Sequence, residues 1–288
     1  MTVLLATFAG MPEGEPGCEA LNRALTARGI DFDWAVWDDP SVDWAAASLV
    51  AIRATWDYAV RADEFLAWTR SLDQSRLLNG ADVFQWNHDK AYLTDLEPLP
   101  TVPTRLAASH AGFARAITEF GTCVIKPRVS AGGAGLIIVT DPLDSRLGQT
   151  LRSHPTYPPV GGPWIAQPLV ESVRTRGEVS VFVLAGRVIS QVDKLPVGDE
   201  VRVHEEFGGA TRPVPIDPSI ATVALTANEW LTQRFGRELD YVRVDLLHYD
   251  DVWVVSELEL IEPGLYLDVL PANAGPFADL IAARLCSS

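Results

Sequence analysis

The sequence predicts a small α/β unit followed by a larger α+β region. In the first 85 residues, strands of the buried type alternate with helices, which is typical of a parallel sheet covered by helices. Further along, short strands come in clusters and are mixed with helices, which favours antiparallel sheets. We therefore expect three units, at residues 1–85, 86–165 and 166–288.

The N-terminal unit contains three predicted strands and two predicted helices. Short apolar runs predict the strands, and apolar residues at helical spacing predict the helices. The strands are Val3–Phe8, Phe32–Val36 and Leu49–Arg53, and the helices are Cys18–Ala27 and Asp63–Leu72. Ligands of open α/β sheets lie beyond the carboxyl ends of the strands, so the loops there are candidate substrate sites.

The two later units contain the remaining elements. In the central unit we expect a helix at Ala108–Phe120 and paired strands at Cys123–Pro127 and Leu136–Val139. Proline and glycine predict a linker at His154–Pro163. The antiparallel strands that follow are predicted at Trp164–Gln167, Val179–Leu184, Val188–Val192 and Val201–His204. The last elements are a helix, a hairpin and a helix, at Ser219–Phe235, Tyr241–His248 with Val252–Leu260, and Asn273–Leu285.

Composition excludes several functional classes. The 288 residues carry 23 Lys and Arg against 38 Asp and Glu, a net charge of −15, which argues against general nucleic-acid binding and against an anionic membrane surface. Three widely spaced cysteines, Cys18, Cys123 and Cys286, suggest neither a disulfide framework nor a zinc site. The N-terminus lacks the basic start of a signal peptide, and no apolar run is long enough to span a membrane. We expect a cytoplasmic protein.

Only three lysines occur, Lys90, Lys126 and Lys194, against twenty arginines. A lysine is a compact point charge that often binds phosphate oxygens, whereas an arginine is a planar fork. Lys126 lies at the end of a predicted strand, just before a Gly-rich loop, and Lys90 lies at a predicted helix start. The lysines therefore indicate phosphate contacts, although a genome that favours Arg could also have left three by chance.

The Gly-rich loop is Ser130-Ala131-Gly132-Gly133-Ala134-Gly135, between two predicted strands. Glycines allow close approach of the backbone to a ligand, and successive N–H groups form a site for anions. The loop is not a Walker A loop, because its lysine precedes the glycines and no helix follows. We expect it to bind phosphate with Lys126; the alternative is a mobile surface hairpin.

The C-terminal hairpin carries an acidic cluster. With alternating faces, Trp253, Val255, Glu257 and Glu259 share one face of the strand. If the turn places Tyr249 opposite Trp253, then Asp245 faces Glu257 and Arg243 faces Glu259. Facing carboxylates need a cation between them, and Mg²⁺ suits carboxylate and phosphate oxygens. The alternative is a solvated acidic face, and Glu262 could be a further ligand or a helix cap.

In this order, these features resemble the ATP-grasp ligases over nearly the whole chain. The resemblance implies an ATP-grasp fold with an N-terminal Rossmann-like domain, a central lid subdomain and a C-terminal lobe built on an antiparallel sheet. It implies that Lys90 and Lys126 bind phosphates together with the Gly-rich loop, including Ser130, Gly132 and Gly133. It further implies that the segment Gln167-Pro168-Leu169-Val170 contacts adenine and that Glu178 holds the ribose hydroxyls.

The same resemblance implies two cofactors, ATP and Mg²⁺, with Asp245, Glu257 and Glu259 as metal ligands. Glu259 departs from the Asn that is commoner in the family at that position. Arg243 matches a phosphate-binding arginine, and Lys194 and Arg202 look like further phosphate or acyl-phosphate contacts. The implied reaction turns a carboxylate into an acyl phosphate that an amine attacks, and it needs no covalent nucleophile. Accordingly, the five histidines are scattered, and His204 could contact substrate or be structural.

The substrate is marked by one string, Arg53-Ala54-Thr55-Trp56-Asp57-Tyr58. In this string Arg53 is a candidate for a substrate carboxylate, Asp57 for an ammonium and Trp56 for a further contact; the alternative is packing and a surface ion pair. The string resembles a subgroup of small ATP-grasp proteins and implies a small-molecule substrate, with ring closure of O-ureido-D-serine to D-cycloserine as its sharpest form. Two alternatives are a carboxylate–amine ligase for amino acids or peptides and a nucleotide-binding regulator without catalysis. Homodimers are common in the family, so a dimer is a further expectation.

Overall fold

A three-stranded parallel sheet forms the N-terminal unit, as predicted. The structure is a computed structural model that describes residues 2–151 and 159–287. The central strand pairs with both others, in the order β2-β1-β3. The elements are β1 (Thr2–Thr7), α1 (Glu19–Thr26), β2 (Asp31–Val36), β3 (Leu49–Ala54), α2 (Ala62–Ser71) and α3 (Ala81–Asn87). The sequence did not predict α3, which leads into a short 3₁₀ helix that begins at Lys90.

The central unit is a four-stranded antiparallel sheet in the order β4-β7-β5-β6. Its elements are β4 (Arg105–Ala107), α4 (His110–Phe120), β5 (Cys123–Pro127), β6 (Ile137–Val139) and β7 (Trp164–Pro168). Phe113, Ile125 and Trp164 belong to an apolar cluster of this unit alone. Since β7 pairs wholly with this sheet, the proposed boundary at residues 165 and 166 falls inside a strand, and a boundary after Pro168 fits the strand pairing better.

The C-terminal unit is a five-stranded antiparallel sheet in the order β10-β9-β8-β11-β12. Its elements are β8 (Glu178–Leu184), β9 (Arg187–Leu195), β10 (Ala210–Val214), α5 (Pro218–Phe235), β11 (Tyr241–Tyr249), β12 (Val252–Glu259) and α6 (Ala274–Ser287). One apolar cluster joins the N-terminal sheet to this one, including Ile52 and Leu258. The first and third units therefore share a core, whereas the central unit packs largely on its own.

Two connecting segments differ from their predictions or are only partly described. The predicted strand Val201–His204 is wrong: these residues are irregular, and the strand that pairs with β9 is instead β10. Val201 and Val203 alternate with polar residues as in a strand, but they are buried against Val173 in a loop. Half of the predicted linker His154–Pro163 lies outside the described residues, and in the other half Val160 forms an isolated bridge with Leu151. Within the described ranges, no helix is long and apolar enough to cross a membrane.

The register of the C-terminal hairpin contains a β-bulge. Asp245 pairs with Glu257 and Arg243 with Glu259, as predicted, but Tyr249 pairs with Val252 rather than with Trp253. The register shifts after Asp245, so that Ser256 is the extra residue. The face prediction for Val255 is therefore wrong: it packs in the same cluster as Leu258, on the face opposite Glu257.

The outer edge of β12 is covered by residues 79–102 instead of by another strand. Val102 donates its N–H to the carbonyl of Val255, at 3.1 Å. The Tyr92 hydroxyl accepts from the N–H of Leu258 at 2.7 Å, and the Asn87 side chain pairs with the backbone of Leu258 and Leu260. This cover fixes the strand that carries Glu257 and Glu259.

Asn79 is expected to be the costliest polar residue of this region to remove. Its side chain donates to the carbonyls of Tyr241 and Leu260, at 2.8 and 2.9 Å, and accepts from the N–H groups of Asp240 and Tyr241. Its φ of 61° also suits Asn better than Ala. Asn79→Ala should lower the free energy of unfolding by about 3 kcal/mol or more, measured by urea denaturation.

Asn22→Ala is the matched control, because its side chain accepts one hydrogen bond, from Trp34. A loss of about 1 kcal/mol is expected there. Equal losses in the two variants would contradict the view that Asn79 ties the N-terminal unit to the C-terminal hairpin.

Candidate active site

A cavity of about 890 Å³, counting the part open to solvent, lies between the Gly-rich loop and the C-terminal sheet. It contains ten of the residues that the sequence singled out: Lys90, Lys126, Ser130, Gly132, Gly133, Glu178, Arg202, Asp245, Glu257 and Glu259. These residues come from distant parts of the chain. Their convergence on one space supports the grouping that the sequence suggested.

The two lysines of the cavity differ in their partners. Lys90 Nζ lies 2.8 Å from Glu257 Oε1 and donates to the carbonyl of Ser130 at 2.7 Å. Lys126 Nζ has no ion pair or hydrogen bond within the described residues, and burial lowers the pKa of Lys126. A half-buried ammonium without a partner is costly, so among the described residues of the cavity Lys126 is a cation available for an anionic ligand.

The Gly-rich loop lies over a second loop that carries Arg202 and His204. Gly132 and Gly133 have φ values of 58° and 69°, and a Cβ at Gly133 would come within 3.3 Å of Arg202. Arg202 pairs with Glu200 at 2.5 Å and stacks on the ring of Phe207. The glycines are therefore needed here both for backbone conformation and for close approach.

The carboxylates of β11 and β12 are each held by a cation. Burial would raise the pKa of Asp245, but the charges of Arg243 and Lys194 outweigh it and hold the pKa well below its usual range. Arg243 lies 2.9 Å from both Asp245 and Glu259. Because Arg243 is shared, burial prevails at Glu259 and raises its pKa to about 7. Burial and the charge of Glu259 also raise the pKa of Glu262 well above its usual range.

These donors fit Mg²⁺ that arrives with a nucleotide. Within the described parts of the chain, no three His, Cys, Asp or Glu side chains are clustered as a ready metal site. Instead, Glu257 forms an ion pair with Lys90, and Glu259 forms one with Arg243. Magnesium is usually bound by one or two carboxylates together with phosphate oxygens and water, not by an all-protein cage. The carboxylate oxygens of Asp245, Glu257 and Glu259 lie in the same cavity as the Gly-rich loop, and this combination suits Mg²⁺ bound together with phosphate.

A second, more apolar pocket of about 540 Å³ adjoins the cavity and shares Lys126, Glu178 and Glu257 with it. The predicted adenine segment lines it, with apolar residues on the other walls: Gln167, Pro168, Leu169, Val170, Val102, Val173 and Leu247. The Gln167 amide donates to Thr104 Oγ1 at 2.9 Å, which fixes its orientation. Glu178 lines both pockets, so it would lie beside the ribose of a nucleotide whose base and phosphates were in different pockets.

Lys194 does not face the cavity as expected for a phosphate contact. Its side chain is 1% exposed and is paired with Glu178, and its Nζ lies 3.6 Å from Asp245. We correct its role to that of a countercharge behind the two acids. Arg243 has a similar place, since it is buried against Asp245 and under the ring of Tyr266. The sequence held no signal for Tyr266 or for Ser180, which donates to Asp245 at 2.5 Å.

The predicted substrate contacts also require correction. Arg53 is fully buried, donates to the carbonyl of Pro263 at 2.9 Å and pairs with Glu15 at 2.6 Å. Asp57 accepts a hydrogen bond from the Trp37 indole and lies 3.4 Å from the Arg61 guanidinium. Arg53 is thus closed to a ligand, and neither side chain lines either of the two pockets.

From the same string, Tyr58 lines the cavity, and Trp56 donates to the backbone of Glu262 at 3.4 Å. The sequence leaves open whether the aromatic residues of this string pack or contact substrate, and Tyr58 both packs against Phe65 and lines the cavity. Glu262, whose role was left open, also lines the cavity.

His204 is expected to make the protein less stable in mild acid. Burial, then the charges of Lys194 and Arg243, lowers the pKa of His204 from 6.5 to about 4. Between pH 6.5 and 4 the unfolded chain therefore binds a proton that the folded protein does not. The free energy of unfolding decreases as the pH is lowered through this range. Because His204 keeps some exposure, the expected contribution at pH 5 is about 1 kcal/mol.

His204→Gln should remove this contribution, measured by urea denaturation at pH 7.5 and pH 5. His110→Gln, at an exposed histidine, is the control and should keep the wild-type dependence. The assignment is rejected if His204→Gln and wild type lose the same stability between the two pH values.

Comparison with known proteins gives two family matches. Residues 89–248, more than half of the chain, match the ATP-grasp domain of prokaryotic glutathione synthetase. Residues 3–79 match the N-terminal domain of D-cycloserine synthetase DcsG.

Individual relatives extend over nearly the whole chain. The cycloserine biosynthesis protein DcsG of Streptomyces lavendulae is 28% identical over 286 residues, 92% of each chain. The crystal structure of D-cycloserine synthetase DcsG superposes with a TM-score of 0.82 at 26% identity, over 99% of this chain and 100% of that one. The ATP-grasp ligase PsnB, complexed with a minimal precursor, has a TM-score of 0.63 at 16% identity, over 98% and 99% of the two chains, and shows the fold alone.

Proposed function

The chain belongs to the ATP-grasp family and is an ATP-dependent carbon–nitrogen ligase, and from this premise we propose that it closes O-ureido-D-serine into D-cycloserine. Members of this family use ATP with Mg²⁺. The proposed reaction begins when the substrate carboxylate takes the γ-phosphoryl group, which releases ADP. The nitrogen attached to the side-chain oxygen then attacks the acyl phosphate, and phosphate leaves. Water removes the carbamoyl group as carbon dioxide and ammonia.

The observation that carries this proposal is the joined pair of pockets, one apolar and one charged, with Lys126 unpaired between them. We assign the base of ATP to the segment Gln167–Val170 and the ribose to Glu178. The phosphates then lie between Lys126, Lys90 and the Gly-rich loop. Arg202, on the loop that the Gly-rich loop covers, would contact the acyl phosphate.

Asp245, Glu257 and Glu259 would hold Mg²⁺, which neutralises charge on the phosphates when it is bound. The residues themselves supply orientation more than proton transfer, as phosphoryl transfer requires. Lys90, which pairs with Glu257 in the free protein, would contact phosphate oxygens. Arg243 and Lys194 hold the acids in place from behind.

The similarity of both halves of the chain to D-cycloserine synthetase supports the substrate assignment. A regulator without catalysis is disfavoured, since both phosphate lysines and all three candidate metal acids are present in one cavity. A ligase that joins separate carboxylates and amines shares the same site, so the substrate must be tested directly.

The test is release of ADP from Mg-ATP with O-ureido-D-serine, with the product identified by mass. We expect ADP together with a product of the mass of D-cycloserine. ADP formed only with mixed amino acids or peptides would reject the cyclisation and keep the ligase chemistry.

A further inference from the structure

One carboxylate of the cavity has no countercharge of its own. Glu257 pairs with Lys90 and Glu259 pairs with Arg243. Glu262 lines the cavity and is 5% exposed, yet its side chain has no ion pair or hydrogen bond within residues 2–151 and 159–287. Lys90 and Arg243, the cations whose charges act on Glu262, are engaged by Glu257 and Glu259, and without a further cation the pKa of Glu262 stays raised. A bound cation would stabilise its ionised form.

A second polar group without a partner faces the same space. Tyr58, from the N-terminal unit, lines the cavity and is 6% exposed. Its ring packs on Phe65, with centroids 5.0 Å apart, which fixes the direction of the side chain. Its hydroxyl makes no hydrogen bond within the part of the chain that the structure describes. Two units of the protein thus each contribute to this cavity a side-chain oxygen without a hydrogen-bond partner among the described residues.

The backbone that carries Glu262 is held rigidly. Arg53 donates to the carbonyl of Pro263, and Glu15 accepts from the N–H of Leu265 at 2.8 Å. Trp56 donates to the carbonyl of Glu262 itself. The residues that were first taken for substrate contacts therefore position this segment, and Glu262 is in place before any ligand binds.

We propose that Glu262 and Tyr58 form a subsite for the ammonium group of an amino-acid substrate. This inference rests on the proposed function, because it assumes that a carboxylate is activated in the same cavity. An ammonium donates hydrogen bonds to a carboxylate and to a phenol oxygen, and a neutral phenol is not among the usual ligands of Mg²⁺. The substrate class is thus an α-amino acid with a free ammonium group, not an acylated or peptide-internal one.

The test is calorimetric binding of O-ureido-D-serine and its N-acetyl derivative, with the enzyme saturated by Mg²⁺ and a non-hydrolysable ATP analogue. We expect the N-acetyl derivative to bind about 100-fold more weakly, because it lacks the charge. Glu262→Gln should weaken binding of the amino acid about 100-fold and leave the affinity for the ATP analogue unchanged. Tyr58→Phe should weaken amino-acid binding about 10-fold. Glu229→Gln, the same change at an exposed position, should bind as the wild type does.

The subsite and the proposed reaction fail in different ways. Equal affinity of the two compounds, equal affinity of Glu262→Gln and wild type, or no binding of any free amino acid would overturn the subsite. Glu262-dependent binding without ADP formation under turnover conditions would keep the subsite and reject the reaction. ADP formed from N-acetylated or peptide substrates alone would reject the subsite and keep a ligase.

Discussion

Lys126→Met is expected to lower the rate of ADP formation by about 10²–10³-fold, the usual effect of losing one group that stabilises charge in a transition state. Lys126 is the ammonium of the cavity that has no partner in the described chain, at the junction of the apolar and charged pockets. Methionine keeps the unbranched stem and removes only the charge. The measurement is ADP release with the substrate that gives turnover, at saturating Mg-ATP.

The fold should survive this change, because it removes a half-buried charge that nothing in the described structure balances. Urea denaturation of Lys126→Met should therefore show stability equal to or above that of the wild type. Lys126→Arg separates charge from shape: a planar fork at this point should recover only part of the rate. Turnover of Lys126→Met within threefold of wild type would contradict the assignment of Lys126 to phosphate.

Glu257→Gln is expected to lower ADP formation by at least about 10³-fold and to raise the Mg²⁺ concentration needed for turnover. The carboxylate faces Asp245 across the hairpin and lies 2.8 Å from Lys90. The substitution therefore removes a proposed metal donor and also takes from Lys90 the carboxylate with which it pairs in the free protein. The measurement is a Mg²⁺ titration of ADP release.

Asp250→Asn is the matched control, since it makes the same change at the exposed turn of the same hairpin. Its φ of 48° is tolerated by Asn. The control should have wild-type turnover and the wild-type Mg²⁺ requirement. If Glu257→Gln kept the wild-type Mg²⁺ requirement, Glu257 would not be a metal ligand, whatever its effect on rate.

Local patterns predicted most of the fold, because the strands and helices have clear periodicity and caps. The hairpin shows where such reasoning is limited. The pairing of Asp245 with Glu257 was predicted from a turn that proved to be one residue shorter. The bulge at Ser256 restored the register, and it also moved Val255 to the other face. Alternation along a strand carries no sign of an extra residue, so the faces could not be predicted beyond that point.

The residues proposed for phosphate and metal could be grouped from the sequence because their types are unusual: rare lysines, clustered glycines and acids in apolar strands. The residues proposed for the ammonium group could not. Arg53 has the chemistry of a substrate contact, but Glu15, 38 residues earlier, takes that role away from it. Lys194 is likewise engaged by Glu178 and Asp245. Whether a charged side chain faces a ligand or another side chain is decided by contacts between distant segments, which a sequence pattern does not contain.

The cover over the outer edge of β12 has a consequence for how the chain avoids aggregation. The run Val252-Trp253-Val254-Val255 is uncharged and strongly β-forming, and an open edge with this sequence would be a template for strands of other molecules. Native proteins commonly protect such an edge with charged gatekeeper residues. Here backbone at Pro100–Val102 and the side chains of Asn87 and Tyr92 occupy the edge instead. They precede β12 in the chain, so on the ribosome they are synthesised before the strand that they shield. The acids of that strand are thereby left for ligand chemistry rather than for repelling neighbouring molecules.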